Sequence, residues 1–250
     1  MSLEVNQIEV GFTNVIAHGG GSGYFISALI TKIMLEEIIF KNYSTDGDTL
    51  PDSDFVFKKT DSNEYYHNGF SPLCSNYHHD SGNSHFYGLG IKNEDEIVEL
   101  LKPYINFFII CDDSETFDFC RIMHIAKHEW RNCNGNLDNF KSKISSSENI
   151  RLIKDAKFVF YNGTKSNPDE FGFFNPTKQL ANKLQDISKD NNIVIDYKDL
   201  FFDRNIDLIK KICGMIKCES RYPFMNEKIE EYTNKNIELY NTVLEIIGEQ

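Results

Sequence analysis

Gly19-Gly20-Gly21-Ser22-Gly23 sets four glycines in five residues between two apolar segments. Glycines let backbone N–H groups turn inward on an anion, and the start of a helix adds partial positive charge. The chemistry of such a loop is retention of an oxyanion, most simply a nucleotide phosphate. Its flanks suit that reading. Gly11 to His18 reads as a short strand, and Tyr24 to Lys41 carries Ile26, Leu29, Ile30, Ile33 and Met34 at helical spacing. The loop lacks the Lys of Gly-x-x-x-x-Gly-Lys-Ser/Thr, which reaches the outer phosphates. Gly23 is followed by Tyr24 and Phe25, and the next Lys, Lys32, stands more than two turns into the helix. An ordinary ATPase or GTPase is therefore disfavoured. The bland alternative is a tight strand-to-helix turn with no ligand.

Other constellations carry less. His67, Cys74, His78, His79, Asp80 and His85 include four of the seven histidines. Imidazole, thiolate and carboxylate all ligate zinc, but this spacing matches no zinc signature, and a polar lid loop is the preferred reading. No metal site is assigned. Asp112-Asp113 ends an apolar run, where an Asp could hold Mg²⁺ in a P-loop ATPase or simply cap the next helix; capping is preferred. His124 and His128, four apart on a presumed helix, share a face without a third ligand. Phe171-Gly172-Phe173-Phe174 could wall an acceptor or pin a loop to the core.

The elements that must position these residues alternate between strand-like and helical patterns, which favours a parallel sheet with helices on both faces. Expected strands lie at about 10–17, 83–88, 106–111, 156–161 and 193–197, and expected helices at about 24–41, 93–101, 114–130 and from Pro176. Two more helices close the chain, one carrying Ile206, Ile209, Ile212, Cys213 and Ile216, the other Ile229, Tyr232, Leu239, Val243 and Ile246. Residues 42–82 and 132–150 are polar and rich in turn formers and read as lid or flexible inserts. The 250 residues fit one α/β domain. A net charge of −12 argues against nucleic acid as a partner. No apolar run is long enough to cross a bilayer. The N-terminus is polar and acidic, and the six cysteines form no CxxC pair, so buried thiols in a soluble, cytoplasmic protein are expected.

This order of elements resembles the P-loop sulfotransferase family, across roughly residues 8–41, 83–130 and 192–247. In that family a strand leads into Lys-Ser-Gly-Thr-Thr, which grips the 5′-phosphosulfate of 3′-phosphoadenosine 5′-phosphosulfate. Gly21-Ser22-Gly23-Tyr24-Phe25 takes that place: Ser22 and Gly23 match, Gly21 replaces the Lys, and aromatics replace both threonines. The resemblance makes His85, on a short strand before a helix and a central apolar strand, the base that deprotonates the acceptor. Ile193 to Leu200, followed by a helix, is similar to the family's late strand. Where the family holds the 3′-phosphate with an Arg and a Ser, this chain has Cys111 and Cys120; Ser114 and Arg121 lie nearby as substitutes.

The resemblance implies a three-layer P-loop-type α/β fold. It implies sulfuryl transfer from 3′-phosphoadenosine 5′-phosphosulfate to a small-molecule or carbohydrate hydroxyl, with Gly20, Gly21, Ser22, Gly23, Tyr24, Ser114 and Arg121 binding the donor. Two other readings stay open: a non-catalytic relative that binds an anion or a protein, and an atypical nucleotide kinase or NTPase. Whether Arg121, Lys127 or Arg131 faces the glycine loop separates the transferase from the non-catalytic relative.

Overall fold

A computed structural model of the chain describes residues 13–18, 21–39, 74–78, 93–133, 136–156, 160–161, 164–165, 176–187 and 189–248. In chain order the elements are β1 (Thr13–Ala17), α1 (Gly23–Ile39), β2 (Cys74–His78), α2 (Glu94–Leu101), β3 (Ile105–Ile110), α3 (Ser114–Asn132), α4 (Leu137–Ile144) and α5 (Ser147–Ala156). There follow β4 (Phe160–Tyr161), β5 (Thr164–Lys165), α6 (Pro176–Ile187), β6 (Asn192–Asp196), α7 (Ile206–Met215) and α8 (Tyr222–Ile247). Four strands form one parallel sheet in the order β2-β1-β3-β6.

Side chains alternate across a strand with period two, and that alternation divides the core. Val15, Ala17, Phe107, Ile109, Ile193 and Ile195 face one side and meet α1, α3, α7 and α8. Ile16, Phe108 and the half-buried Val194 face the other, under Ile97 and Leu101 of α2 and Leu180 and Leu184 of α6. Apolar side chains on both faces are the mark of a parallel sheet covered by helices, so the chain is an α/β protein with three layers.

Asparagine is put to structural use. Asn93, Asn136 and Asn205 cap α2, α4 and α7, each accepting an N–H bond from the third residue on. Asn14, Asn106 and Asn192 stand opposite one another in register across β1, β3 and β6. Asn14 Nδ2 donates to Asn106 Oδ1 (3.0 Å), and Asn106 Nδ2 to Asn192 Oδ1 (2.8 Å). Asn106 Nδ2 also reaches the Leu101 and Tyr104 carbonyls, and Asn192 Nδ2 that of Leu184. All three asparagines are buried. A slip of one residue would break this ladder, so it fixes the register of three strands at the sheet's amino-terminal edge.

Several expectations need correction. Residues 74–78, expected inside a lid, form β2 because Cys74 buries at the sheet edge beside Thr13; the expected strand at 83–88 lies outside the described residues. Residues 132–150 are not a flexible insert through their length. They hold α4 and the start of α5, since Phe140 and Ile144 pack with Ile122, Ala126 and Ile153 against Val243 and Ile247 of α8. Of the strand expected at 156–161, Ala156 ends α5, residues 157–159 lie outside the described residues, and Phe160–Tyr161 pairs antiparallel with Thr164–Lys165. No helix among the described residues is long and apolar enough to cross a membrane.

Candidate functional site

In open parallel sheets ligands bind outside the carboxyl ends of the strands, where strand order reverses. Here the order reverses at β1, with β2 on one side and β3 on the other. The residues that follow β1, β3 and β6 are His18, Cys111-Asp112-Asp113 and Tyr197, and the glycine loop leaves this edge for α1.

The loop is shaped by its own backbone. Gly21 N–H donates to the His18 carbonyl at 2.9 Å, closing a tight turn. A Cβ on Gly21 would stand 3.1 Å from that carbonyl oxygen and 3.3 Å from Ala17 Cβ. A side chain at Gly21 would therefore crowd the turn. Ser22 adopts φ 59°, the left-handed region that costs a non-glycine residue about 1–2 kcal/mol. Gly23 is buried and opens α1, and Tyr24 in its first turn is 47% exposed.

Two tyrosines hold Ser22 in that conformation. Tyr232 Oη donates to Ser22 Oγ at 3.0 Å, and Tyr197 Oη lies 3.3 Å from the same oxygen. Lys127 Nζ donates to Tyr232 Oη at 2.6 Å. A cation from α3 is thus linked to the glycine loop through one phenol. Tyr232 is placed by stacking on Phe25 at 3.8 Å between centroids. Tyr197 is placed by a wide π-type turn, Lys198–Phe202, that follows β6 and buries Leu200 and Phe201. Burial, and then the neighbouring Cys120 and Tyr232, push the Tyr197 phenol well above its ordinary range.

Below the loop, His18 Nε2 lies 3.0 Å from Cys111 Sγ, and Cys111 Sγ lies 3.8 Å from Cys120 Sγ. Phe117 packs on the His18 ring at 5.1 Å. Burial pushes the Cys111 thiol up, helped by Cys120, Asp196 and Asp113.

Carboxylates line the same edge. Asp113 caps α3, one oxygen accepting from Thr116 N–H and the other from its hydroxyl, both at 2.7 Å. Asp112 pairs with Lys178 of α6 at 2.5 Å, at the surface. Asp196 accepts from Lys198 N–H at 2.8 Å. Burial raises its pKa, with Asp112, Asp199 and Asp113 adding to the effect.

The structure therefore brings Gly21, Ser22, Gly23 and Tyr24 together at the start of α1. Gly20 and His85 lie outside the described residues. Ser114 is the first residue of α3, and Arg121 is half-buried two turns on. Among the described residues no hydrogen bond or ion pair joins Arg121 to the loop. Lys127 is linked to it through Tyr232. Of the histidine-rich segment, Cys74 and His78 stand at opposite ends of β2, and His67, His79, Asp80 and His85 lie outside the described residues. His124 is exposed on α3.

Sequence reasoning passed over His18, Tyr197 and Tyr232 as site residues. His18 was signalled by its place directly before the glycines. The tyrosines carried no local signal, since contacts across 175 and 210 residues bring them to Ser22.

No protein-family model, no curated protein and no solved structure matches this chain. The functional reading rests on the fold and on this geometry.

Proposed function

We propose that the protein holds a phosphate- or sulfate-bearing ligand at the glycine loop, and that its activity is sulfuryl transfer from 3′-phosphoadenosine 5′-phosphosulfate to a hydroxyl acceptor. The observation that carries the reading is the position of Gly21-Ser22-Gly23. It lies at the carboxyl end of an interior strand, opening a 17-residue helix, with Lys127 linked to Ser22 through Tyr232. A helix N-terminus with turned-in amides and a nearby cation suits an oxyanion.

The residues fit the two ends of that donor unequally. The loop suits the 5′ end. The 3′-phosphate does not fit at Cys111 and Cys120, which are buried and in contact with each other; neither gives a charge-assisted bond to phosphate. This misfit favours a second reading, a non-catalytic relative that binds a smaller oxyanion at the same loop. A kinase or NTPase gains less support, because Thr116 occupies both oxygens of Asp113 and Lys178 pairs with Asp112.

The test is release of the bisphosphate from the donor in the presence of mixed hydroxyl acceptors, with the His85→Ala variant beside the unaltered chain. The transferase reading expects turnover that His85→Ala lowers by ~10²–10⁴-fold, the usual contribution of a general base, with donor binding retained. Binding without turnover on any acceptor supports the second reading. Equal turnover in both proteins removes His85 from the reaction.

A further inference from the structure

Three side chains with no part in oxyanion binding meet beneath the glycine loop. His18, Cys111 and Cys120 place one nitrogen and two sulfurs within 4.8 Å of one another. They are 4%, 1% and 0% exposed. They come from the end of β1, the end of β3 and the second turn of α3, so the fold, and no single helix or loop, assembles them.

The sulfur–sulfur distance matches a tetrahedral ion, and the nitrogen stands close enough to complete it. Zinc–sulfur bonds of about 2.3 Å hold two sulfurs about 3.8 Å apart in a tetrahedron, and the Cys111 and Cys120 sulfurs are 3.8 Å apart. The nitrogen–sulfur edge of the same tetrahedron is about 3.5 Å. His18 Nε2 at 3.0 Å from Cys111 needs to withdraw by about half an ångström and to turn toward Cys120, which lies within 4.8 Å of it, to complete the same tetrahedron. Two thiolates and one neutral imidazole balance a divalent charge, which meets the main cost of burying an ion.

Two rival uses of these residues fit less well. A nucleophilic Cys–His pair needs an accessible sulfur, and Cys111 is 1% exposed. A Cys111–Cys120 disulfide would draw the sulfurs to about 2.05 Å and gives no role to the imidazole standing on Cys111.

We infer that His18, Cys111 and Cys120 form a site for a thiophilic divalent ion, zinc in the first instance, with one coordination position left by the described residues for water or an added ligand. The His18 carbonyl anchors the Gly21 turn, so the ion ties the entry of the glycine loop to β3 and α3. This site is independent of the proposed oxyanion site, and its test contains no nucleotide.

The full chain, reduced and stripped with chelator, is titrated with Zn²⁺ and, as a spectroscopic probe, with Co²⁺. One zinc per chain, a thiolate-to-cobalt charge-transfer band, and a rise in Tm of roughly 5–10 °C at a hundredfold excess over Kd are expected. Cys120→Ser, with its fold checked by circular dichroism, should lose at least about tenfold in affinity together with part of the thiolate band, as zinc–thiolate ligation requires. Cys133→Ser, altered in a separate core cluster, should lose neither. Should Cys120→Ser fail to fold, the stoichiometry and the cobalt band of the unaltered chain decide alone. Absence of bound zinc, a cobalt spectrum without the thiolate band, or unchanged affinity in folded Cys120→Ser would overturn the assignment. So would a Cys111–Cys120 disulfide that forms equally fast with and without zinc.

Discussion

Ser22 is the residue on which the glycine loop turns. It holds a left-handed conformation that glycine adopts at little cost, yet its hydroxyl meets two phenols. Removing the hydroxyl and removing the strain are separable. Ser22→Ala keeps the strain and deprives Tyr197, 2% exposed, of a partner, so a loss of about 1–3 kcal/mol is expected from denaturant unfolding. Ser22→Gly loses the same bonds but relieves the backbone, and should be the more stable of the two by about 1 kcal/mol. Equal stabilities would show that no backbone strain is left at this position once the hydroxyl is gone.

Asp196 supplies a test with pH. Its folded pKa is raised above the ordinary 3.8, so the ionised carboxylate is disfavoured in the fold. The favourable contribution is present below the unfolded pKa and is lost as pH rises through the folded one. Asp196→Asn keeps an acceptor for the Lys198 N–H and removes the charge. Its Tm should exceed that of the unaltered chain at pH 7, and the difference should vanish as pH falls toward 3.8. A difference that does not change with pH would assign the effect to something other than the charge.

At the scale of elements, strong periodicity was legible and long-range pairing was not. β3 was expected at 106–111 from a continuous apolar run, and it forms at Ile105–Ile110, buried on both faces. α1, α2, α3, α7 and α8 follow patterns visible in the sequence. β2 escaped, because Cys-Ser-Asn-Tyr-His has no apolar alternation and becomes a strand only by pairing with β1. α4 and α5 escaped because their polar faces and serine run obscure a short apolar stripe. The Asn14–Asn106–Asn192 ladder was hidden for the same reason, since each asparagine is unremarkable until the register aligns them. The correction at residues 132–150 is testable. Phe140 is fully buried in the cluster of α3, α4, α5 and α8 and meets the Trp130 ring edge-on at 5.1 Å. Phe140→Ala should cost about 3–5 kcal/mol, as for other buried phenylalanines. A change below about 0.5 kcal/mol, typical of surface sites, would restore the flexible insert.

Over the whole molecule, the glycine loop was legible as a motif, and its surroundings were not. The sequence places four glycines after a strand, but Lys127 is linked to Ser22 only through Tyr232, 105 residues further along the chain. The overall charge of −12 and the carboxylates at the same sheet edge disfavour an anion in general, while the start of α1 and Lys127 favour one at a single place. Oxyanion binding at the loop therefore has to overcome the field of the rest of the molecule, which makes it the claim to measure first. The measurement is thermal melting with 3′-phosphoadenosine 5′-phosphate, against ATP-Mg²⁺, AMP and sulfate. At a hundredfold excess over Kd, binding adds ~2.7 kcal/mol and raises Tm by roughly 5–10 °C for a chain of this size. The account predicts that rise with the bisphosphate, or with sulfate alone if the second reading holds, and predicts that it diminishes in Lys127→Ala. No rise with any of these oxyanions would contradict it.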